Sequence, residues 1–578
     1  MSLPPAARPQ TTRRTAWLPA WLRNYRRAQL PGDLIAGVIV TAMLVPQSLA
    51  YAMLAGLPPE MGLYASILPL AAYALFGSSM TLAVGPVAVI SLMTASALQP
   101  LAAAGSAQYA TLAVQLALLS GAMLFAFGLL RFGFMANLLS HPVIAGFISG
   151  SAVLIAISQA RYLFGISASG ASSWETLVHL VAALPQWNPA TTIIGLGTLA
   201  FLFAARGHAA VLLAHLLSRQ SAELAARLAP MLAIVASGAM VAGFDLAERA
   251  GVAVVGVVPT GLPALAFTLP DPQTLSNLWL PALLISLVGF VESVSVARSL
   301  ALRRGERIHP DRELLGLGAG NLASALSGGY PVTGGFARSI VNFAAGANTP
   351  LAGIASAVLM GIVVLGFTGL FSPLPQAVLA ATIIAAVVPL IDLATLRRAW
   401  GYDRADAWSY MGTAGGVLGL GVEQGIVIGV ALSLGMLLWR SSHPHIALVG
   451  RVPGTEHFRN VERHRVETLP GLVALRVDES LFFGNIEAVE ENIGQLLSAQ
   501  PEAKRLLLIC SAVNHIDATA LDALTTLERD LDRRGIALCL AEVKGPVMDR
   551  LAHTELGARL RGRVFLSTHA AFSSRDAI

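Results

Sequence analysis

Arg338 carries a permanently charged guanidinium and stands inside GGFARSIVNFAAGA, a glycine-rich stretch flanked by apolar segments long enough to enter a bilayer. Arginine at membrane depth costs about 2.5 to 3.5 kcal/mol on insertion, so it is expected to face a ligand, a partner or a water-filled cavity. An anion is the simplest ligand. Glu292, in LVGFVESVSVARSL, is the second costly charge, with Ser295 and Ser299 one and two turns below it on neighbouring faces. Its carboxylate can be kept neutral by a proton, paired with Arg338, or used to hold a cation, and each option is a route to ion coupling. A purely structural ion pair is the plainer alternative. In VTAMLVPQSLAYAMLAGLPP, Gln47 follows Pro46, and Tyr51 lies four residues on along the same helical face. The two can donate hydrogen bonds together. Alternatively Gln47 satisfies the carbonyl freed at the proline while Tyr51 packs. Gln115, Asn137, His141, Asn321, Asn342 and Glu423 lie near span ends or in packing sequences and most read as structural, Glu423 as the cap of a tight turn or a neutraliser of nearby donors.

The elements that position these residues must be membrane helices. Of 578 residues 55% are hydrophobic and only 12% charged, with a mean hydropathy of +0.67, which excludes an ordinary soluble globular chain. Apolar segments recur from about Leu34 to Trp439, fourteen in all, seven up to about residue 244 and seven from about 278. The net charge of +5 rests on arginine, since Lys504 and Lys544 are the only lysines, and reads as membrane topology rather than nucleic-acid binding. Arg206, Arg219 and Arg227 follow the sixth segment, Arg298, Arg303, Arg304 and Arg307 the eighth, and Arg397 and Arg398 the twelfth. The long loop from 245 to 277 carries only Arg249. That asymmetry places both termini in the cytoplasm. The start of the chain, with Arg8, Arg13, Arg14, Arg23, Arg26 and Arg27, lacks a cleavage site after a short apolar core. It reads as a basic cytoplasmic segment whose Trp17, Leu18, Trp21, Leu22 and Tyr25 can touch the interface.

Seven segments is an odd number, so halves that share a fold must enter the membrane in opposite orientations, as an inverted repeat. Transporters of that kind bind substrate between discontinuous helices at corresponding positions of the two halves. The third segment of each half fits. SSMTLAVGPVAVISLM is interrupted by Gly85 and Pro86, and GGYPVTGGFARSIVN by Gly334 and Gly335. Both read as extended runs turning into short helices whose free amides, near Val87 and Phe336, make an anion site before any side chain is added. Glycines that merely allow close helix packing are the alternative.

After Arg440 the composition turns polar and then alternates strands with amphipathic helices, the mark of a separate soluble α/β domain. LVALRVDE, SLFFGN, RLLLICS and IALCLAEV read as strands, Ile486 to Leu497 and ATALDALTTLERDLDRR as helices. Cys510 and Cys539 fall in it and read as buried core thiols without a disulfide. The expected division is a basic segment 1–30, a transport domain 31–440, a linker 441–460 and a soluble domain 461–578. No phosphate loop, metal-ligand cluster or nucleophile elbow stands behind an enzyme, a cofactor or a metal site.

PQSLAYAMLAGLPPEMGLYAS, VGPVAV, ESVSVARSLA and GGFARSIVN, in that order, resemble the characteristic stretches of the SulP anion transporters, a family that includes bacterial sulfate permeases and bicarbonate and dicarboxylate transporters. The tail resembles the STAS domain, with NHIDATALDAL at that domain's loop and helix start. The anti-sigma relatives carry a phosphorylatable serine after the loop aspartate, whereas this chain has Asp517, Ala518 and Thr519, with Thr519 expected to cap the helix. The resemblance implies a core domain of segments one to four and eight to eleven moving against a gate domain of the rest, with homodimer contacts and cytosolic partners at the STAS domain. It also implies that Gln47, Tyr51 and Arg338 face the substrate and that Glu292 couples it to a proton or sodium; together with Gly85, Val87, Phe336, Ala337 and Ser339 at the two half-helix starts, the first three are expected to surround the anion.

The resulting expectation is a multi-pass protein of the bacterial inner membrane that imports sulfate or a related oxyanion with protons by alternating access. Moving a divalent anion into a negative interior costs about 2.3 kcal/mol per charge per 100 mV, so uptake needs a co-transported cation. The alternatives are a sodium-coupled bicarbonate carrier with a cation site at Glu292 and the carbonyls of Val332 to Gly334, a proton-coupled dicarboxylate carrier, a nucleobase transporter and a passive anion channel.

Overall fold

A computed structural model describes residues 19–137, 140–166, 173–205, 229–263, 265 and 268–574. The expectations for Arg8, Arg13, Arg14, Trp17, Leu18, Arg206, Arg219 and Arg227 lie outside the described residues. The chain divides into two compact units, Met1–Ser433 and Leu434–Ile578.

The first unit is helical. α1 (Leu30–Leu54) runs through Pro46 and is followed by a short helix and α2 (Leu68–Phe76). A two-residue strand β1 (Val84–Gly85) leads into α3 (Ala88–Leu98), then α4 (Ala107–Leu129), α5 (His141–Phe164), α6 (Pro189–Ala204) and α7 (Ala229–Phe244). The second series repeats the plan: α8 (Pro272–Arg304), α9 (Pro310–Leu326), β2 (Thr333–Gly334) entering α10 (Phe336–Ala344), α11 (Leu351–Gly366), α12 (Gln376–Val387), α13 (Arg404–Leu420) and α14 (Val422–Ser442), whose last residues fall in the second unit. Six helices among the described residues are long and apolar enough to cross a membrane by themselves, while α3, α6, α7 and α11 are shorter apolar helices. The broken segments are short because a strand takes the first part of each.

The most extensive packing falls into two groups of helices. α4 lies along α9 and α8, α2 along α9 and α11, and α1 along α11; separately, α5 lies along α13 and α12, and α12 along α6. Small residues set the closest approach. A Cβ at Gly318 of α9 would sit 2.6 Å from the Phe125 amide of α4, so the two backbones meet where no side chain fits. Buried carboxylates tie helix ends together: Asp33 of α1 accepts from the Asn348 and Thr349 amides at 2.6 and 2.9 Å, just before α11. Trp21, expected at the interface, is instead buried, donating to the Ala74 carbonyl at the end of α2 at 2.7 Å. The indole N–H finds its partner inside the protein.

The second unit holds a six-stranded sheet in the order β4-β3-β5-β6-β7-β8. Its strands are β3 (Ile446–Arg451), β4 (Phe458–Asn460), β5 (Leu472–Val477), β6 (Arg505–Ile509), β7 (Ala537–Ala541) and β8 (Val564–Phe565). β5 to β8 are parallel, and β3 is antiparallel to both its neighbours. Helices α15 (Ile486–Ala499) and α16 (Ala518–Arg533) contribute Val489, Ile493 and Leu524 to the main core. Two expectations need correction. Residues 441–460, read as a linker, carry β3 and β4. SLFFGN makes only an isolated bridge, Leu481 to Ile516, and then turns into α15. Asn485 stops it as a strand, because its side-chain oxygen accepts from the Phe482 amide and folds the chain back. Cys510 and Cys539 are both free and buried, and burial pushes the Cys510 thiol up to about 12.

Candidate functional site

β1 and β2 pair antiparallel, Val84 opposite Gly334 and Gly85 opposite Thr333. The pairing brings the N-termini of α3 and α10 together. α3 starts at Val87 and α10 at Gly335, each in extended conformation and neither with a side-chain cap. No hydrogen bond occupies the Ala88, Val89, Ile90, Phe336, Ala337 and Arg338 amides among the described residues. These are the orphan donors of two helices, and they carry partial positive charge.

Arg338 sits in the first turn of α10 and is 2% exposed. Its side chain reaches across to the other half of the molecule: Nε donates to the Ala83 carbonyl at 3.4 Å and Nη1 to the Pro86 carbonyl at 3.3 Å. Nη2 is buried with no partner. A buried ionic donor left unmatched costs about 1 to 3 kcal/mol or more, and an anion at this position removes the cost. Two glycines make the space. A Cβ at Gly85 would lie 3.2 Å from Nη2, and one at Gly335 3.0 Å from it. Gly85 also has φ +153°, a conformation that side chains rarely adopt.

The ribbon is held by side chains from both halves. The Gly334 amide donates to Ser293 Oγ at 2.9 Å, Ser293 and Thr333 hydroxyls are 2.7 Å apart, and Thr333 donates to the Gly289 carbonyl of α8 at 2.7 Å. With Ser293 donating to Thr333, the chain of bonds has one direction and no conflict. Asn321 of α9 clamps Val332, donating to its carbonyl and accepting from its amide, both at 2.9 Å. Ser339 accepts from the Ala83 amide at 2.9 Å, Asn342 donates to the Thr81 carbonyl at 3.0 Å, and the Ser91 and Tyr330 hydroxyls lie 3.0 Å apart.

The other expected residues divide. Tyr51 is buried; Gln47, a turn earlier on α1, is half-buried. Gly85 and Val87 are buried beside the guanidinium, whereas Phe336 and Ala337 are exposed and offer only their amides. Glu292 is not paired with Arg338. It lines a cavity of about 20 Å³ with Val143 and Phe147 of α5, Thr413 of α13 and Ile426 of α14, and its Oε2 has no partner. That volume takes about one water. Ser295 and Ser299, expected beside Glu292, are exposed, and Ser293 is the serine that faces the ribbon. Ser293 lies one helical turn after Gly289, so a small residue and a hydroxyl share a face, but that spacing alone does not single Ser293 out from the other serines of α8. Glu423 does not cap its turn, since its buried Oε1 lacks a partner. In the second unit Asp517, not Thr519, caps α16, accepting from the Ala520 amide at 2.8 Å. Asp517 immediately precedes the first helical residue in extended conformation, from which a short carboxylate reaches the third amide.

Apolar helices, two of them half-length and meeting at a ribbon, together with an α/β unit, define a polytopic helical membrane protein with a soluble C-terminal domain. Residues 30–413 match the sulfate permease family and residues 463–571 the STAS domain. A probable sulfate transporter of Mycobacterium tuberculosis is 35% identical over 544 residues, covering 93% of this chain and 94% of its own. Sulfate transporter 4.1, chloroplastic, of Arabidopsis thaliana is 35% identical over 537 residues, 90% of this chain and 76% of its own. The chain belongs to the sulfate permease family. Its fold is shared with murine Solute Carrier 26 family member A9, an anion transporter, at 22% identity and a TM-score of 0.87 over 98% of this chain and 96% of that one. The transmembrane domain of the cyanobacterium bicarbonate transporter BicA aligns at 22% identity and a TM-score of 0.58, covering 71% of this chain and 98% of its own.

Proposed function

We propose that this protein is a secondary active transporter of small inorganic anions that takes up sulfate with protons by alternating access. The observation that carries the reading is Arg338 Nη2, buried without a partner between two helix N-termini whose first amides are unoccupied. Gln47, Tyr51 and the amides next to Val87 and Phe336 complete the oxyanion shell, with Gly85, Ala337 and Ser339 shaping it. The relatives named as sulfate transporters support sulfate as the substrate.

In this reading α1 to α4 and α8 to α11 form a core that carries the substrate, and α5 to α7 and α12 to α14 form a gate, seven segments in each inverted repeat. Glu292 stands on a core helix against gate residues of α5, α13 and α14, where sliding of one group past the other changes its access to water. It is the proton carrier. The protein resides in a bacterial inner membrane with both termini cytoplasmic, works as a homodimer and presents the STAS domain to cytosolic partners.

A sodium-coupled bicarbonate carrier is the second reading. Occupation of the Val332 carbonyl by Asn321 weighs against it, since that oxygen would be needed for the cation. Proteoliposome uptake of labelled sulfate, bicarbonate and succinate under imposed proton and sodium gradients separates the readings. Sulfate accumulation driven by a proton gradient is expected, and accumulation driven only by sodium, or none, overturns it.

A further inference from the structure

A second cavity, of about 370 Å³, opens where α2 ends and α9 begins. Arg23, Arg307, Arg312 and His309 line it. Among the described residues none of these three arginines has a carboxylate partner. The acids beside them are occupied elsewhere. Asp311 accepts from the Gly133 amide at 2.8 Å. Glu313 accepts from the Tyr73 hydroxyl at 2.7 Å, the Ser78 hydroxyl at 2.6 Å and the Ser78 and Ser79 amides at 2.8 and 2.9 Å. Glu306, next to Arg307 in sequence, does not line the cavity. Three arginines therefore line one space with no carboxylate counter-charge among the described residues.

Trp21, Leu75, Phe76 and Leu315 add apolar lining to the same cavity. Leu75 and Phe76 are 52% and 45% exposed although they end a membrane-unit helix. Trp21 is fixed over that end by its bond to Ala74, so the turn Ala20–Arg23 forms one side of the cavity. Three arginines and exposed apolar side chains lining one cavity at a helix end have the two-part chemistry of a phospholipid. A free inorganic anion would use only the basic half.

We propose that this cavity binds the headgroup phosphate of an anionic phospholipid through Arg23, Arg307 and Arg312, with the acyl chains against Leu75 and Phe76. The site is separate from Arg338 and fastens the N-terminal turn to the ends of α2 and α9.

The test uses the purified full-length protein in detergent, with native mass spectrometry and thermal melting in phosphatidylglycerol or phosphatidylcholine. Phosphatidylglycerol is expected to remain bound and to raise the melting temperature, and phosphatidylcholine to do neither. R307Q/R312Q is expected to weaken retention about fivefold per arginine removed, and R307K/R312K to restore most of it. Equal retention of both lipids, or unchanged retention in R307Q/R312Q, overturns the proposal. Should the glutamine pair fail to purify, R23Q gives the same reading. Soluble glycerol phosphate distinguishes the source: binding that it reproduces alone, without preference between the lipids, assigns the cavity to a free phosphate and sinks the lipid proposal.

Discussion

At the scale of single residues, the decisive arrangement is a guanidinium with two carbonyl partners and one unmatched nitrogen. Arg338→Ala is expected to weaken sulfate binding about 10- to 100-fold, the worth of a charge-assisted bond of about 1.5 to 3 kcal/mol, as read by titration of the purified protein. Wild-type affinity would remove Arg338 from direct contact. Gly85→Ala should mimic it without touching the arginine, because the added methyl would lie 3.2 Å from Nη2 in a backbone conformation that disfavours side chains. Glu292→Gln is expected to abolish proton-driven accumulation while leaving anion exchange partly intact; undiminished accumulation in vesicles would free Glu292 from any coupling role. Arg338 and Glu292 were legible in the sequence because a charge among apolar residues announces its own cost. Ser293 and Asn321 were not. Serine in a membrane helix commonly bonds its own preceding turn, and only the long-range arrival of β2 determines which serine turns elsewhere.

At the scale of elements, the ribbon depends on hydroxyls supplied by α8. Ser293→Ala leaves the Gly334 amide and the Thr333 hydroxyl short of a partner and is expected to cost about 1 to 3 kcal/mol, seen as a lower melting temperature together with slower transport. Ser299→Ala, on the exposed side of the same helix, should stay within about 0.5 kcal/mol of the parent. Equal effects of the two would show that the ribbon needs no such support. The broken segments could be read from glycine and proline interrupting apolar runs, but β3 and β4 could not be read at all. β4 is a three-residue strand at the sheet edge, Arg459 exposed between two half-buried residues, too short for length or alternation to mark it.

At the scale of the whole molecule, two compact units obey different chemistries. In the soluble unit Asp517 is held below the usual carboxylate range by the Ala520 amide, with the Phe483 amide adding to it. A depressed carboxylate contributes stability that is fully present above its unfolded pKa, about 3.9, and is lost as pH falls through the lower folded value. Asp517→Ala should therefore destabilise the domain by about 1 kcal/mol at neutral pH and by progressively less below about pH 4, as followed by circular dichroism melting. A constant difference across that range would argue against the cap. Cys510 and Cys539, buried and with their thiols pushed up, are expected to resist maleimide until the domain unfolds.

The β1–β2 ribbon also imposes an order on synthesis. β1 leaves the ribosome roughly 250 residues before the strand that pairs with it, and at about 5 to 20 residues per second that is a wait of some 10 to 50 seconds. Throughout that interval the amides and carbonyls around Val84 and Gly85 have no permanent mate in a solvent that offers none. A nascent chain arrested before Thr333 is expected to remain crosslinkable to the insertion machinery at Gly85, and one extended past α10 to be released. The membrane half of this protein is thus closed by its later-made partner strand, and the cell must shelter an unfinished helix until that strand arrives.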